Sequence, residues 1–174
     1  MVQSGWKTKW SIGLSLLLSS VVQFPAVAEI VLSGRCHMGQ CTQMRFDRKV
    51  LLEDEAGEQL YAIETAYRLT PMGEEASGEF SETRRSYVRC SRTRPAYIFQ
   101  VEGSEQYYSS HLNPGADPAG FAYEAQVLYW TTCHNIIGPD FFSDAMRDRA
   151  INLGYPLNLS EDQVSGDSLN EVLQ

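Results

Sequence analysis

The sequence predicts an α+β domain, mainly antiparallel β-sheet with one C-terminal helix packed on it and disulfides as staples. Three observations predict this fold. Apolar and polar side chains alternate with a period of two over much of residues 43–133. In residues 142–153 the apolar side chains instead recur three and four positions apart, as in a helix. Four cysteines in a chain of 174 residues supply the staples.

The first strands are predicted as a hairpin. Residues 44–52 and 60–69 carry the strand pattern, and an acidic turn that contains Gly57 joins them. Residues 71–82 are rich in Gly and Glu, so we expect an exposed loop there. The next strand ends at Cys90, and its alternation places Val88 and Cys90 on one face.

Two further strands are predicted after Pro95. Residues 97–101 alternate, whereas residues 113–120 hold two prolines and two glycines and cannot be regular structure. Residues 121–133 then give the longest strand signal. Their rings and apolar side chains recur at a spacing of two, namely Phe121, Tyr123, Ala125, Val127, Tyr129 and Cys133.

One helix follows, with Pro139 at its first turn and Gly154 and Pro156 at its end. Its packed face is predicted to comprise Phe142, Ala145, Met146, Arg149, Ala150 and Leu153. Residues 160–174 have helical potential but little apolar content, and we expect a loosely docked tail. Residues 29–159 are thus predicted to form a single globular domain.

Residues 1–28 have the features of a signal peptide. Lys7 and Lys9 precede an uncharged apolar stretch, and Ala26-Val27-Ala28 supplies the small residues that signal peptidase requires. A membrane anchor would need about 20 apolar residues, and Gln23 and Pro25 interrupt this run. We therefore expect cleavage after Ala28, no membrane anchor in the mature protein, and export to the periplasm, the thylakoid lumen or the medium.

A lipoprotein is a further alternative, because Cys36 lies downstream of the apolar stretch. Arg35, however, stands where lipid attachment needs a small residue.

The mature chain is strongly acidic. Removal of Lys7 and Lys9 leaves 12 basic against 22 acidic residues, a net charge of −10. Proteins that bind nucleic acid or anionic lipid release counterions with an excess of Lys and Arg. The charge therefore argues against both classes of partner.

The cysteines are predicted to form disulfides, since an even number in an exported chain of this size is typical of such a framework. Three pairings are possible. The short spacing of Cys36 and Cys41 favours a local bridge, which leaves Cys90 with Cys133 as a long-range bridge. Zinc is the alternative, because histidine follows both Cys36 and Cys133, but zinc sites usually show two close cysteine pairs. We expect no metal and no other cofactor.

Motifs for catalysis are missing. The sequence has no Gly-x-Ser-x-Gly elbow, no His-Glu-x-x-His and no phosphate-binding loop. An enzyme of the cell envelope would have to use His111 or His134 with a carboxylate such as Glu124. We expect no catalytic residue, and this hydrolase remains the alternative.

Arginines are concentrated in one stretch, at Arg84, Arg85, Arg89, Arg92 and Arg94. Their planar forks bind carboxylate, sulfate or phosphate in two places, so the last four are candidates for binding an anion or an acidic partner. Alternation predicts that Arg85 and Arg89 share an exposed face. The competing interpretation, which we favour, pairs these arginines with nearby glutamates across strands, since such surface pairs are common.

Four segments carry a resemblance to a known group of proteins. They are Tyr-Val-Arg-Cys-Ser at 87–91, Arg-Pro-Ala-Tyr-Ile-Phe at 94–99, Tyr-Trp-Thr-Thr-Cys-His at 129–134 and Ala-Ile-Asn-Leu-Gly-Tyr at 150–155. Together they resemble small exported proteins of cyanobacteria to which no activity is assigned. The resemblance implies a compartment and no catalytic residue. The sequence as a whole predicts a binding or structural module of the cell envelope.

Overall fold

A computed structural model of the chain describes residues 29–116, 120–138, 141 and 143–174. The predicted signal peptide, residues 1–28, lies outside the described residues. The seven strands are β1 (Ile30–His37), β2 (Gln40–Glu55), β3 (Glu58–Pro71), β4 (Arg84–Cys90), β5 (Ala96–Gln100), β6 (Tyr107–His111) and β7 (Gln163–Gly166). The helices are α1 (Ala122–His134), α2 (Asp144–Asn152) and α3 (Leu169–Val172).

The described strands form one antiparallel sheet in which the spatial order follows the chain from β1 to β7. The predicted antiparallel sheet is thereby confirmed. The long β2–β3 hairpin closes through Ala56 and Gly57, which both have positive φ (51° and 83°). Two central residues with positive φ match the right-handed twist of the flanking strands. This hairpin is the longest pairing in the sheet. It continues to Pro71 of β3, whereas β4 pairs only as far as Thr65.

The prediction of a strand over residues 121–133 is wrong, because this segment is helix α1. Eight consecutive residues of α1, from Ala125 to Thr132, are buried. A helix that is buried on all sides has no polar face, so its apolar residues lack the helical period. The spacing of two among these residues is therefore accidental and does not indicate a strand. Helices are accordingly not confined to the C-terminal part of the chain.

Helix α2 occupies the place of the predicted helix but begins at Asp144. Pro139 and Phe142, which the prediction used, lie outside the described residues. Of the predicted packed face, Met146 and Ala150 are buried, four apart, whereas Ala145 and Arg149 are exposed. Gly154, with a φ of 83°, follows the last turn as predicted.

Both faces of the sheet are packed. The main core lies between one face and helices α1 and α2, and Trp130, Tyr129, Ile63 and Met44 are fully buried there. A smaller cluster on other residues of β3 and β5 joins Leu60, Ala96 and Ile98 to Val172 of α3. The C-terminal segment, expected to be loosely docked, thus supplies the edge strand β7 and one buried side chain. Backbone pairing with β6 requires no apolar content, which is why composition did not indicate it.

The two disulfides join Cys36 to Cys41 and Cys90 to Cys133. These pairings are the ones that the spacing favours, and they are confirmed. The first lies across the β1–β2 hairpin, where the two cysteines are register partners. The second ties the end of β4 to the end of α1, and so holds the segments after these two elements close together.

Candidate functional site

A cavity of about 250 Å³ lies beside the Cys90–Cys133 disulfide. We call it the disulfide-side cavity. Its lining comes from the β2–β3 hairpin, the segment after β4, the end of α1 and the segment after α2: Asp54, Gly57, Gln59, Cys90, Ser91, Arg92, Cys133, His134 and Tyr155. Because Arg92 and His134 follow the two bonded cysteines closely in sequence, the disulfide brings them to the same cavity.

A chain of hydrogen bonds orients the histidine. The hydroxyl of Tyr129 donates to the carbonyl oxygen of Ser91 at 3.0 Å, which uses its single proton. Tyr155 must therefore donate in the 2.8 Å contact between the two tyrosine hydroxyls. The hydroxyl oxygen of Tyr155 in turn accepts from Nε2 of His134 at 2.7 Å. Neutral His134 accordingly carries its proton on Nε2 and leaves Nδ1 as an acceptor.

The surroundings of His134 disfavour its charged form. Burial first, and then the positive charges of Arg149, Arg92 and Lys49, lower the pKa of His134. Burial also raises the pKa of Tyr129 and of Tyr155, so both remain neutral and keep the hydrogen-bond chain in one arrangement. The imidazole is thus held neutral near pH 7, with cations around it.

Lys49 fixes the end of α1. Its Nζ donates to the carbonyl oxygen of Thr132 at 2.7 Å and to Oδ1 of Asn135 at 2.8 Å. A cation near a helix C-terminus satisfies carbonyls that lack an intrahelical partner. Asn135 takes the left-handed conformation that commonly ends a helix (φ 53°). Burial lowers the pKa of Lys49, and its only hydrogen-bond acceptors among the described residues are uncharged.

The predicted arginine patch is divided by the structure. Nη2 of Arg85 lies 3.3 Å from Oε1 of Glu64. Nη2 of Arg94 lies 3.7 Å from Oε2 of Glu58, and its Nη1 donates to the main-chain oxygen of Gln174. Arg89 donates through two nitrogens to Glu58 and through a third to the carbonyl oxygen of Leu173. Its side chain is only 14% exposed, so the expectation of an exposed face shared with Arg85 is wrong. The C-terminal residues that cover Arg89 are the physical reason.

Three of the four arginines that were predicted to bind an anion therefore form ion pairs with glutamates of the same chain. Arg84, beside them in the sequence, also pairs with a carboxylate, that of Glu102, at 2.6 Å. Burial alone would raise the pKa of Glu58, but bonds from Ser91 and Arg89 and the charges of Arg89 and Arg94 lower it below its ordinary value. Within the described ranges, Arg92 has no ion pair and instead lines the disulfide-side cavity.

Comparisons of the chain with protein-family models, curated proteins and solved structures return no match. The resemblance to exported cyanobacterial proteins therefore stays a prediction.

A second and larger concave surface, of about 510 Å³, lies between the β1–β3 strands and the start of α1. We call it the apolar groove. Its lining is Arg35, His37, Met38, Gln40, Thr42, Tyr67, Leu69, Tyr97, Gly120, Phe121, Glu124, Ala125 and Leu128. Carbon atoms provide most of its surface, which is typical of sites that bind small molecules.

Polar and exposed apolar side chains both line the apolar groove. Oε1 of Glu124 accepts from the backbone N–H of Arg35 at 3.1 Å, which ties α1 to β1. The rim carries three large apolar side chains, with Met38 89%, Leu69 60% and Phe121 50% exposed. Such a concentration of exposed apolar side chains around one concavity marks a binding surface more often than isolated ones do.

The histidines and carboxylates expected of a hydrolase are arranged differently from the prediction. Glu124 and His134 lie ten residues apart on α1, hence about 15 Å along the helix axis, and do not form a pair. His111 instead contacts Asp162, with Nδ1 and Oδ1 2.6 Å apart. The hydrogen bond from His111 lowers the pKa of Asp162 below its usual value. His111 and Asp162 line a cavity of about 180 Å³ together with Thr93 and Ser160.

Neither a metal cluster nor a spanning helix is found in the part of the chain that the structure describes. No three His, Cys, Asp or Glu side chains there are grouped so that they could hold a metal ion. No helix among the same residues has the length and apolar character to cross a membrane.

Sequence reasoning missed the apolar groove and the Tyr129–Tyr155–His134 chain. The groove depends on α1 lying against the sheet, and no sequence pattern indicated that helix. The proximity of Arg92 to His134 could, however, have been predicted from the sequence. Given a Cys90–Cys133 bond, residues two and one positions after the cysteines must lie near each other.

Proposed function

We propose that this chain is an exported, non-catalytic binding module whose apolar groove holds a small, mostly apolar molecule with one polar end. The observation that carries the proposal is the set of three exposed apolar side chains, Met38, Leu69 and Phe121, around one concave surface. A bound ligand would remove their apolar surface from water, which stabilises the complex by roughly 25 cal/mol per Å².

The size and polarity of the groove define the ligand class. A volume of about 510 Å³ lies in the range of small-molecule sites. The floor formed by Tyr97, Ala125 and Leu128 is buried, and β1 and β2 add polar side chains to the lining. An elongated amphiphile would place its apolar part on the floor and its polar end near Arg35 and His37.

Fluorescence titration with anilinonaphthalene sulfonate, an amphiphilic aromatic probe, tests the proposal. The Leu69→Glu variant places a charge on the rim of the groove, and we expect at least tenfold weaker binding. Leu52→Glu is the matched control, since Leu52 is a 47% exposed strand residue outside the groove. Equal binding by both variants, or no saturable binding by the wild-type protein, would overturn the proposal.

Export remains part of the proposal. Two disulfides favour an oxidising compartment, such as the periplasm or thylakoid lumen. The Ala26-Val27-Ala28 motif supports cleavage before Glu29. Mass spectrometry of the exported protein should find Glu29 as its first residue, and an intact Met1 would refute the cleavage.

A hydrolase is the second candidate function, and the His111–Asp162 contact is the observation that favours it. A carboxylate that accepts from one imidazole nitrogen can orient the other as a general base. Hydrolysis of p-nitrophenyl acetate by the wild-type protein, abolished in His111→Gln and retained in His37→Gln, would support this function. Rates equal to buffer alone would exclude hydrolysis of this activated ester.

A further inference from the structure

We propose that the disulfide-side cavity binds a small oxyanion, such as sulfate, phosphate or a free carboxylate, through Arg92 and His134. This site is separate from the apolar groove, and the proposal does not depend on the function assigned to that groove. Three features support it: unpaired cations, the fixed tautomer of the histidine and the engagement of the nearby carboxylates.

Cations without acidic partners surround the end of α1. Neither Arg92 nor Arg149 forms a salt bridge with any described acid, although the mature chain has an excess of acidic residues. Lys49 lies at the same helix end and donates to neutral oxygens. Arg94, two residues after Arg92, is by contrast within 4 Å of Glu58. The positive charge near His134 is therefore left for a ligand.

The histidine has one unsatisfied nitrogen. The Tyr129–Tyr155 chain occupies Nε2, and Nδ1 has no hydrogen-bond partner among the described residues. Protonation converts Nδ1 into a donor that needs an acceptor. An oxyanion in the cavity would supply this acceptor and would take a charge-assisted bond from the arginine fork as well.

The carboxylates near the cavity are already engaged. Asp54 accepts from Nε2 of Gln59 at 2.9 Å, and Glu58 accepts from Ser91 and Arg89. Arg92 extends past Gly154, where a Cβ atom would lie 3.9 Å from Cδ of the arginine. The charged and titratable groups that face His134 or its tyrosine partners are thus Lys49, Asp54, Glu58, Arg92, Tyr129, Arg149 and Tyr155.

This arrangement couples anion binding to pH. Burial and, after it, the nearby cations lower the pKa of His134, and a bound anion offsets part of the charge repulsion. By linkage, an anion that raises the pKa of His134 must bind more tightly as that residue becomes protonated. Sulfate is the appropriate probe, because its own charge stays constant over the range in which histidine titrates.

The test is a sulfate titration of the oxidised protein by two-dimensional NMR, at constant ionic strength with chloride as the balancing salt. We expect saturable shifts at Arg92 and His134, at least tenfold weaker binding by Arg92→Gln, and tighter binding by wild type as the pH falls. Arg84→Gln is the matched control, because Arg84 belongs to the same stretch but pairs with Glu102. Its sulfate affinity should equal that of the wild type.

Each alternative outcome contradicts a defined part of the proposal. Equal affinity in Arg92→Gln and Arg84→Gln, or shifts that chloride reproduces, would show general screening and overturn the site. An affinity that does not change with pH would remove His134 from it. Arg92 is exposed and has no ion pair among the described residues, so Arg92→Gln should fold normally, and its unfolding midpoint checks this.

Discussion

Nε2 of His134 lies 2.7 Å from the hydroxyl oxygen of Tyr155, directly beside the disulfide that joins Cys90 to Cys133. The contact links the end of α1 to the segment after α2. Through Tyr129 it continues to the backbone after β4. This series of hydrogen-bonded side chains thus fixes three separate parts of the fold around the disulfide-side cavity.

Replacing Tyr155 by Phe should destabilise the protein by about 1–2 kcal/mol. The change leaves the Nε2–H of His134 without an acceptor and removes the donor to Tyr129, and the loss of buried partners has this magnitude. Urea unfolding gives the difference. Tyr108→Phe, which removes a bond to Gln106 at the surface, is the control and should change stability by less than about 0.5 kcal/mol. Equal effects would contradict the structural role of the chain.

His134 should make stability depend on pH in a specific direction. Its pKa in the folded state is lower than the 6.5 of an ordinary histidine, so the unfolded chain takes up the proton first. Its contribution is therefore complete above about pH 6.5 and is lost as the pH falls toward the folded-state pKa. Carboxyls with lowered pKa, such as Glu58, lose their contribution only in more acidic solution, as the pH falls from about 4.5.

Free energies of unfolding measured between about pH 7.5 and pH 5 test this dependence. We expect the wild-type protein to lose more stability over this range than His134→Gln, which lacks the imidazole that titrates there. Parallel profiles for the two proteins would show that the histidine does not carry the effect.

The two disulfides should contribute unequally. Cys90 and Cys133 are 43 residues apart, against 5 for Cys36 and Cys41. The loop-entropy model gives about 4 kcal/mol for the longer loop and about 2 kcal/mol for the shorter. Double Cys→Ser variants of each pair, compared by urea unfolding, should follow this order. A larger loss for the Cys36–Cys41 variant would contradict it.

Strands β2 to β5 could be predicted because they are half-buried and their side chains alternate, whereas β1 and β7 were not predicted. The disulfide pairing could be predicted because a five-residue separation suits a hairpin, which leaves one remaining pair. Helix α1 could not, since eight successive buried residues leave no polar face to mark the helical turn. The same error hid the apolar groove, which α1 forms with the sheet.

The contacts of the arginines at residues 84–94 were also only partly predictable from the sequence. Sequence alternation indicated the correct strand for Arg85 and Arg89, but not the C-terminal backbone that covers Arg89. Contacts between residues 84 positions apart follow from the topology of the whole chain. Arg92 is the exception, because its position just after the bonded Cys90 predicts that it lies near His134.

Arg89→Gln should be more destabilising than Arg84→Gln, although both remove an ion pair with a glutamate. Arg89 is 14% exposed and also bonds the carbonyl oxygen of Leu173, so its loss leaves partly buried acceptors unpaired at a cost of about 2–3 kcal/mol. Arg84 and Glu102 are 57% and 81% exposed, and exposed pairs contribute about 0–1 kcal/mol. Urea midpoints compare the two variants, and equal losses would show that the C-terminal contact has no energetic role.

The last prediction concerns the attachment of the C-terminal segment. Val172 is 4% exposed and packs with Leu60, Ala96 and Ile98, so Val172→Ala should cost about 1–2 kcal/mol through lost burial and a residual cavity. Val164→Ala is the matched control, because Val164 lies in the same segment but is 39% exposed. Hydrogen exchange of the β7 amides gives a second measurement, since β7 pairs with β6 next to this contact. Faster exchange in β7 of Val172→Ala, with β2 and β3 unchanged, would show that α3 holds the edge strand in place. Unchanged exchange together with a near-zero loss of stability would instead mean that this segment is only loosely docked.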